Sequence, residues 1–291
     1  MQVSKKKLTD NLDIWLEEQH LNELSENTLK QYKNGVRKFL RYLEEKDIIT
    51  IKKQTMLDYK YYLNDISKSV NSKNAWIISL NKYLKYLNLN SLCLKQINVQ
   101  NRYYTYYNLT MSDYKRLLRI AKRENRIQDY WIIKTLAMTG IRISELKYFT
   151  VENLQRQNEN ILWIENKGKS RDVPLRDDLA RDLRKYARTN KITTGTIFPS
   201  PKIPGQMIHT ATIWKHLQKI AGIARVKLKN VHPHSFRHLF ADVFLQTYSD
   251  NVIMLAEFLG HNSLETTKIY TRKTLKQKKE MLSNLDFKER D

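Results

Sequence analysis

Between residues 28 and 43 the chain reads TLKQYKNGVRKFLRYL, and its apolar residues fall three and four apart: Leu29, Tyr32, Val36, Phe39, Leu40 and Leu43. That spacing is one face of a helix, so the segment is read as amphipathic. Lys30, Lys33, Arg37, Lys38 and Arg41 take the other face. A second stripe, Trp76, Leu80, Tyr83, Leu84 and Leu87, predicts a helix over 72–87, with Lys73, Lys82 and Lys85 off the stripe. Residues from about 7 to 90 read as helical. The aromatics of these stripes are read as core rather than as ligand-stacking groups. From 95 to 109, KQINVQNRYYTYYNL, the period is lost and Asn and Tyr collect, which marks a linker. Thr110 or Ser112 can cap a new helix that starts near Asp113.

Beyond the linker, 128–138 reads as an apolar helix. NILWIE (160–165) and RDVPL (171–175) read as two short strands around the turn NKGKS. Helices follow at about 177–188, 209–222, 235–247, 251–259 and 263–269. The pattern predicts a mainly α protein: a helical domain over 1–94, a linker over 95–109, and a mostly α domain with a small antiparallel β-sheet over 110–275. A tail follows over 276–291.

Composition narrows the function classes. The 291 residues suit two domains at roughly 100–200 residues each. Only 7 Gly and 5 Pro are present, which disfavours collagen-like and turn-dense β chains. A single cysteine, Cys93, excludes an intrachain disulfide and a Cys-based zinc cluster. The chain has no run of 18 apolar residues, and Asp10, Asn11 and Asp13 break the N-terminal apolar pattern. A soluble, cytoplasmic, nucleoid-associated protein is the expectation. Lys and Arg number 52 against 30 Asp and Glu, a net charge of +22. Residues 1–50 are neutral in sum, 51–100 carry +6 and 101–291 carry +16. The basic residues are interleaved with apolar ones that must fold. They therefore make a basic folded surface, suited to the phosphates of a duplex, rather than a basic arm.

Four short segments carry candidate chemistry. In TGIRISEL (139–146), Gly140 ends one helix and Arg142 opens the next, near helix-terminal N–H groups that favour phosphate. In NKGK (166–169) a β-turn presents a lysine. In HPHSFRH (232–238), a helix starting near Ser235 would bring His234 and Arg237 to one locus. In the last, Leu259-Gly260-His261, Tyr270 follows nine residues after the histidine. Taken singly each has an ordinary structural reading. Imidazoles are common metal ligands, but Arg237 lies inside the histidine cluster and no nearby Cys or Asp completes a tetrahedral set.

Taken in order, the segments resemble those of the tyrosine recombinase, or phage integrase, family, in a Xer-like or mobile-element form. The resemblance covers roughly 110–275, and the helix at 28–43 resembles that of the family's helical core-binding domain. It implies a C-shaped clamp of two domains on double-stranded DNA with inverted core repeats. It also implies a homotetramer on two sites, strand exchange through a Holliday junction, and no metal, ATP or other cofactor. Tyr270 matches the nucleophile that forms a 3′-phosphotyrosyl link, and Arg142 and Arg237 match the two phosphate-holding arginines. Lys167, which precedes the turn glycine, matches the general acid, with Lys169 of the same turn as the alternative. His234 and His261 match the site histidines, and Glu145 an acidic residue that orders the site. His232 has no assigned role, and His238 is read as structural. Lys30, Lys33, Arg37, Lys73 and Lys82 are the candidate DNA contacts of the first domain. The tail, with Leu275, Met281, Leu282, Leu285 and Phe287, is expected to dock on a neighbouring protomer. Two other functions use the same residues: relaxation of supercoils in the manner of a type IB topoisomerase, and DNA binding by an inactive site.

Overall fold

The computed structural model describes residues 2–98, 109–155, 160–166, 169–249 and 251–260, mostly as helix. The chain divides into two units, Met1–Asn101 and Arg102–Asp291. Among the described residues the first holds five α-helices, α1 (Lys5–Asp10), α2 (Leu12–Leu21), α3 (Glu26–Glu45), α4 (Lys53–Ile66) and α5 (Val70–Tyr86), and a 3-10 helix (Asn90–Leu92). Two two-residue strands, β1 (Val3–Ser4) and β2 (Thr50–Ile51), pair antiparallel. They are too short to show in the sequence pattern.

Helix α3 begins where Ser25, in extended conformation, accepts a hydrogen bond from Thr28 N, a side-chain cap on the first turn. It buries Val36, Phe39, Leu40 and Leu43 as the stripe predicts, and also Gly35 and Tyr42. Helix α5 packs on it at Gly35. A Cβ there would stand 2.5 Å from Ser79 Cβ, so only glycine admits this approach. The Ser79 hydroxyl donates to Ala75 O of its own helix at 2.8 Å, with Gln31 O of α3 at 3.4 Å. Aromatic rings fill the rest: Trp15 lies 4.9 Å from Tyr83 and 5.4 Å from Tyr32, and Phe39 lies 4.8 Å from Tyr59. The Tyr83 hydroxyl donates to Leu8 O at 2.6 Å. Such ring pairs add to burial through their quadrupoles.

One reading of this unit changes. Lys73 is not a surface cation. It is 8% exposed and its Nζ donates to Asn64 Oδ1 at 2.7 Å, so it leaves the set of candidate DNA contacts. Helix α5 starts at Val70, capped by Ser69, two residues before the expected start, and Lys73, three residues before Trp76 and seven before Leu80, stands on its buried stripe rather than off it. The segment read as linker is tied to α5 as far as it is described. Asn81 exchanges two hydrogen bonds with the backbone of Leu94, and Asn74 does the same with Ile97, all between 2.7 and 2.9 Å.

The second unit runs α6 (Met111–Arg123), α7 (Ile127–Thr139), a 3-10 helix (Ile143–Tyr148), α8 (Val151–Gln155), β3 (Ile161–Asn166) and β4 (Lys169–Pro174). It continues with α9 (Asp177–Thr189), α10 (Thr210–Ile223), α11 (Pro233–Thr247) and α12 (Val252–Leu259). Thr110 caps α6 through a reciprocal pair with Asp113. Strands β3 and β4 pair antiparallel from Ile161↔Pro174 to Asn166↔Lys169. Their inward face, Leu162, Ile164 and Val173, is 1% exposed and joins a core with Leu136, Phe149 and Phe236. Helix α11 opens two residues earlier than expected because Pro233 suits the first helical position, where its missing N–H costs nothing. The helix expected over 263–269 and the tail over 276–291 lie outside the described residues. Among the described residues, no helix is long and apolar enough to cross a membrane.

Candidate active site

The site is assembled where α7, α11 and α12 end or begin. Helix α7 stops at Gly140, which is left-handed at φ +63°. A side chain there would be strained and would press into Phe240 of α11, 2.6 Å from its Cδ1. Two residues on, Arg142 stands at the head of the 3-10 helix. Its backbone N–H donates to Glu145 Oε2 at 2.8 Å, and its Nη1 donates to Glu145 Oε1 at 3.2 Å. Glu145 is 1% exposed, a buried carboxylate that requires compensation.

That compensation comes from two sides. From β4, Arg171 Nη1 donates to Glu145 Oε1 at 3.2 Å and Nη2 to Oε2 at 3.0 Å. Each carboxylate oxygen thus accepts two hydrogen bonds, which fills the four lone-pair positions of the group. Two guanidiniums against one carboxylate leave the trio with one net positive charge.

Arg237, on α11, is 3% exposed. Its Nη1 donates to Gly140 O at 2.8 Å and its Nη2 to Leu259 O. Arg142 Nη2 donates to the next carbonyl, Gly260 O, at 3.3 Å. Both candidate phosphate-holding arginines are therefore brought together on the C-terminal carbonyls of α12. Helix ends leave such carbonyls without intrahelical partners and carry partial negative charge. Gly260 is also left-handed, at φ +61°, and an added Cβ would fall 2.0 Å from Arg171 Nη1.

The histidines line the first turns of α11. His234 keeps its outer edge in solvent. Partial burial first, then the charges of Arg237, His232 and Arg142, hold its pKa below the ordinary imidazole value. It is neutral at pH 7 and able to accept a proton. His238 is pushed down to about 4, by burial first and then by His234, His232 and Arg237. Burial also lowers His232, the residue that caps α11. The backbone N–H of His232 reaches Ser235 Oγ at 3.4 Å, which supplies the function its sequence position lacked. Among the described residues, no group of three or more His, Cys, Asp or Glu is placed to hold a metal ion.

Lys167, His261 and Tyr270 lie outside the described residues, and so does the side chain of Lys169. Arg171 was missed in the sequence, although a signal for it exists. It is two residues from Val173 on the same strand face, so a charged residue occupies an inward position of a short amphipathic strand.

Of the remaining first-unit candidates, Arg37 and Lys82 are exposed. Lys30 lies 3.9 Å from Glu26 and Lys33 lies 3.2 Å from Asp13. Exposed pairs of this kind are weak and readily exchanged for a phosphate. The Lys38 ammonium instead covers the Trp76 ring at 4.4 Å.

Residues 107–277 match the family model described as the phage integrase family, and residues 13–98 match that of the phage integrase N-terminal SAM-like domain. The chain is 29% identical over 281 residues to a tyrosine recombinase of Pseudothermotoga lettingae, covering 91% of this chain and 94% of that protein. It is 30% identical over 269 residues to a tyrosine recombinase of Thermosipho africanus, covering 86% and 90%. Among solved structures it is similar in fold to XerH site-specific recombinase bound to a palindromic difH substrate in a post-cleavage complex. The TM-score there is 0.73 at 21% identity, covering 88% of this chain and 79% of that one.

Proposed function

The chain belongs to the phage integrase family of tyrosine recombinases, which are DNA strand-exchange enzymes, and on that premise we propose that it cuts and rejoins double-stranded DNA at a specific site through a covalent tyrosyl intermediate. The Tyr270 oxygen attacks the scissile phosphorus in line, and the bond from phosphorus to the 5′-oxygen breaks. A 3′-phosphotyrosyl link forms and a 5′-hydroxyl leaves. The phenolic proton goes to His234, and the leaving oxygen takes one from Lys167. Arg142 and Arg237 hold the non-bridging oxygens, where planar bidentate cations stabilise the charge that builds during attack. His261 adds a further contact to the phosphate. The covalent link conserves the energy of the broken bond, so rejoining by the reverse steps needs no ATP.

The observation that carries this reading is the meeting of Arg142 and Arg237 at the end of α12, with neutral His234 beside them. Lys30, Lys33, Arg37 and Lys82 supply phosphate contacts from the first unit. Four protomers hold two sites with inverted core repeats and exchange strands through a Holliday junction. The outcome is integration or excision of a mobile element, or Xer-like resolution.

A duplex pool with randomised arms, selected by binding to the protein, yields a site that can be built as a nicked suicide substrate. The expected result is a denaturant-resistant protein–DNA adduct that disappears in Tyr270→Phe. Specific binding without any adduct from the unmutated protein would overturn the reading. In the same assay, Lys30→Gln, Arg37→Gln and Lys82→Gln together should flatten the logarithmic salt dependence of binding by about 2–3.

A further inference from the structure

The Arg142 guanidinium has five N–H groups, and two of them are engaged, one on Glu145 and one on Gly260. The other three have no partner among the described residues, and the side chain is 33% exposed. This is an unusual state for an arginine beside a buried carboxylate. The geometry such a pair prefers is the parallel fork, in which two N–H groups of one arginine take both oxygens. In that arrangement Glu145 would neutralise Arg142 and consume its donors. What occupies the fork position is Arg171, with one Nη on each oxygen.

We propose that Arg171 is a positioning residue for the cleavage reaction. It satisfies Glu145 so that Arg142 is oriented by the carboxylate without being consumed by it. Three observations support this assignment. Arg171 lies on the inward face of β4 and its side chain is 16% exposed, so it does not itself meet DNA as a surface cation. Among the described residues its buried Nε has no hydrogen-bond partner, while the two Nη groups stay on Glu145. Its guanidinium also runs beneath Gly260, so closely that an added Cβ would displace it, and Gly260 O is the second anchor of Arg142. One side chain therefore sets both fixed points of Arg142.

The inference rests on the recombinase reading, and its test separates the two. The probe is the selected duplex, made once with an ordinary scissile phosphate and once with a methylphosphonate, which has lost the negative charge that Arg142 meets. Arg171→Ala should leave DNA affinity within about threefold, because contacts spread over the whole surface carry it. Its single-turnover cleavage of the phosphate duplex at saturating protein should fall by about 10- to 100-fold, the range for residues that orient a contacting group. On the methylphosphonate that loss should shrink to about threefold or less, because a neutral centre gains little from Arg142.

Arg171→Lys keeps the cation and most of the stem but cannot form the fork, so it should show the same pattern. It carries the test if the alanine variant does not fold, as judged by a thermal melt. Equal losses on both duplexes, or normal cleavage of the phosphate duplex by either variant, would overturn the proposal. An unmutated protein that forms no adduct refutes the recombinase reading itself, and the role of Arg171 falls with it.

Discussion

Of the glycines that stand at close approaches among the described residues, Gly35 in the first unit and Gly140 in the second make a comparison. Gly35 lies against Ser79, and what it admits is a second helix, with rings and aliphatic chains around it. Gly140 lies against Phe240 and Leu259, and what it admits is a charge: its carbonyl points at the Arg237 guanidinium. The first unit packs apolar groups on apolar groups. The second buries Glu145 and Arg237, and satisfies the carboxylate with Arg142 and Arg171 and the guanidinium with carbonyls at helix ends. Buried charge of this kind is weak evidence for stability. Its benefit lies in donors already aimed where negative charge will develop, which costs no reorganisation during reaction. A close approach that holds helices together and one that holds a site together thus look alike in sequence and differ in what they deliver.

The sharpest way to break the comparison is Arg142→Ala. It should lower single-turnover cleavage by about 100- to 1000-fold, as loss of one preorganised donor does. The melting temperature should fall by only a few degrees, because Glu145 loses one charge-assisted hydrogen bond but keeps the Arg171 fork and the Arg142 backbone N–H. Cleavage near the unmutated rate would show that the polar cluster is structural after all.

Gly35→Ala should do the opposite. Overpacking at the crossing should cost about 1–3 kcal/mol, read from denaturant unfolding, with cleavage by the folded fraction unchanged. Adding Ser79→Gly should restore most of that stability. Failure of this rescue would mean that the contact tolerates a methyl group.

The smallest effect is that of acid. The folded state holds His232, His234 and His238 below the ordinary imidazole pKa, so the unfolded chain protonates first. Stability should be full above about pH 6.5 and fall as pH drops toward 4, where His238 titrates in the fold. All three residues lie at the head of α11. Hydrogen exchange measured at pH 7 and pH 5 should therefore show the loss in α11 and its neighbours, with α3 and α5 protected as before. Equal loosening of both units would erase the contrast.

Much of this was legible in the chain. The period of α3 named its buried face, and the order of TGIRISEL, HSFRH and LGH brought Arg142 and Arg237 to one place before any geometry was known. Three features were not legible, each for a physical reason. Lys73 shares the stripe of Trp76 and Leu80 by its spacing, and what the pattern does not show is the inner partner, Asn64, that lets a lysine stand there. His232 serves as a cap because Pro233 moved the helix start. The partner of Arg171 is 26 residues away, across a strand pairing whose register sequence spacing does not encode.

The grip of two arginines on the end of α12 has one more consequence. A helix end carries about half a unit of negative charge, spread over carbonyls of fixed position. Leu259 O and Gly260 O thus act as a resident stand-in anion, keeping Arg142 and Arg237 side by side against their mutual repulsion while no phosphate is present. On the proposed reaction, an arriving phosphate meets cations whose spacing is already set and displaces a half charge rather than a full one.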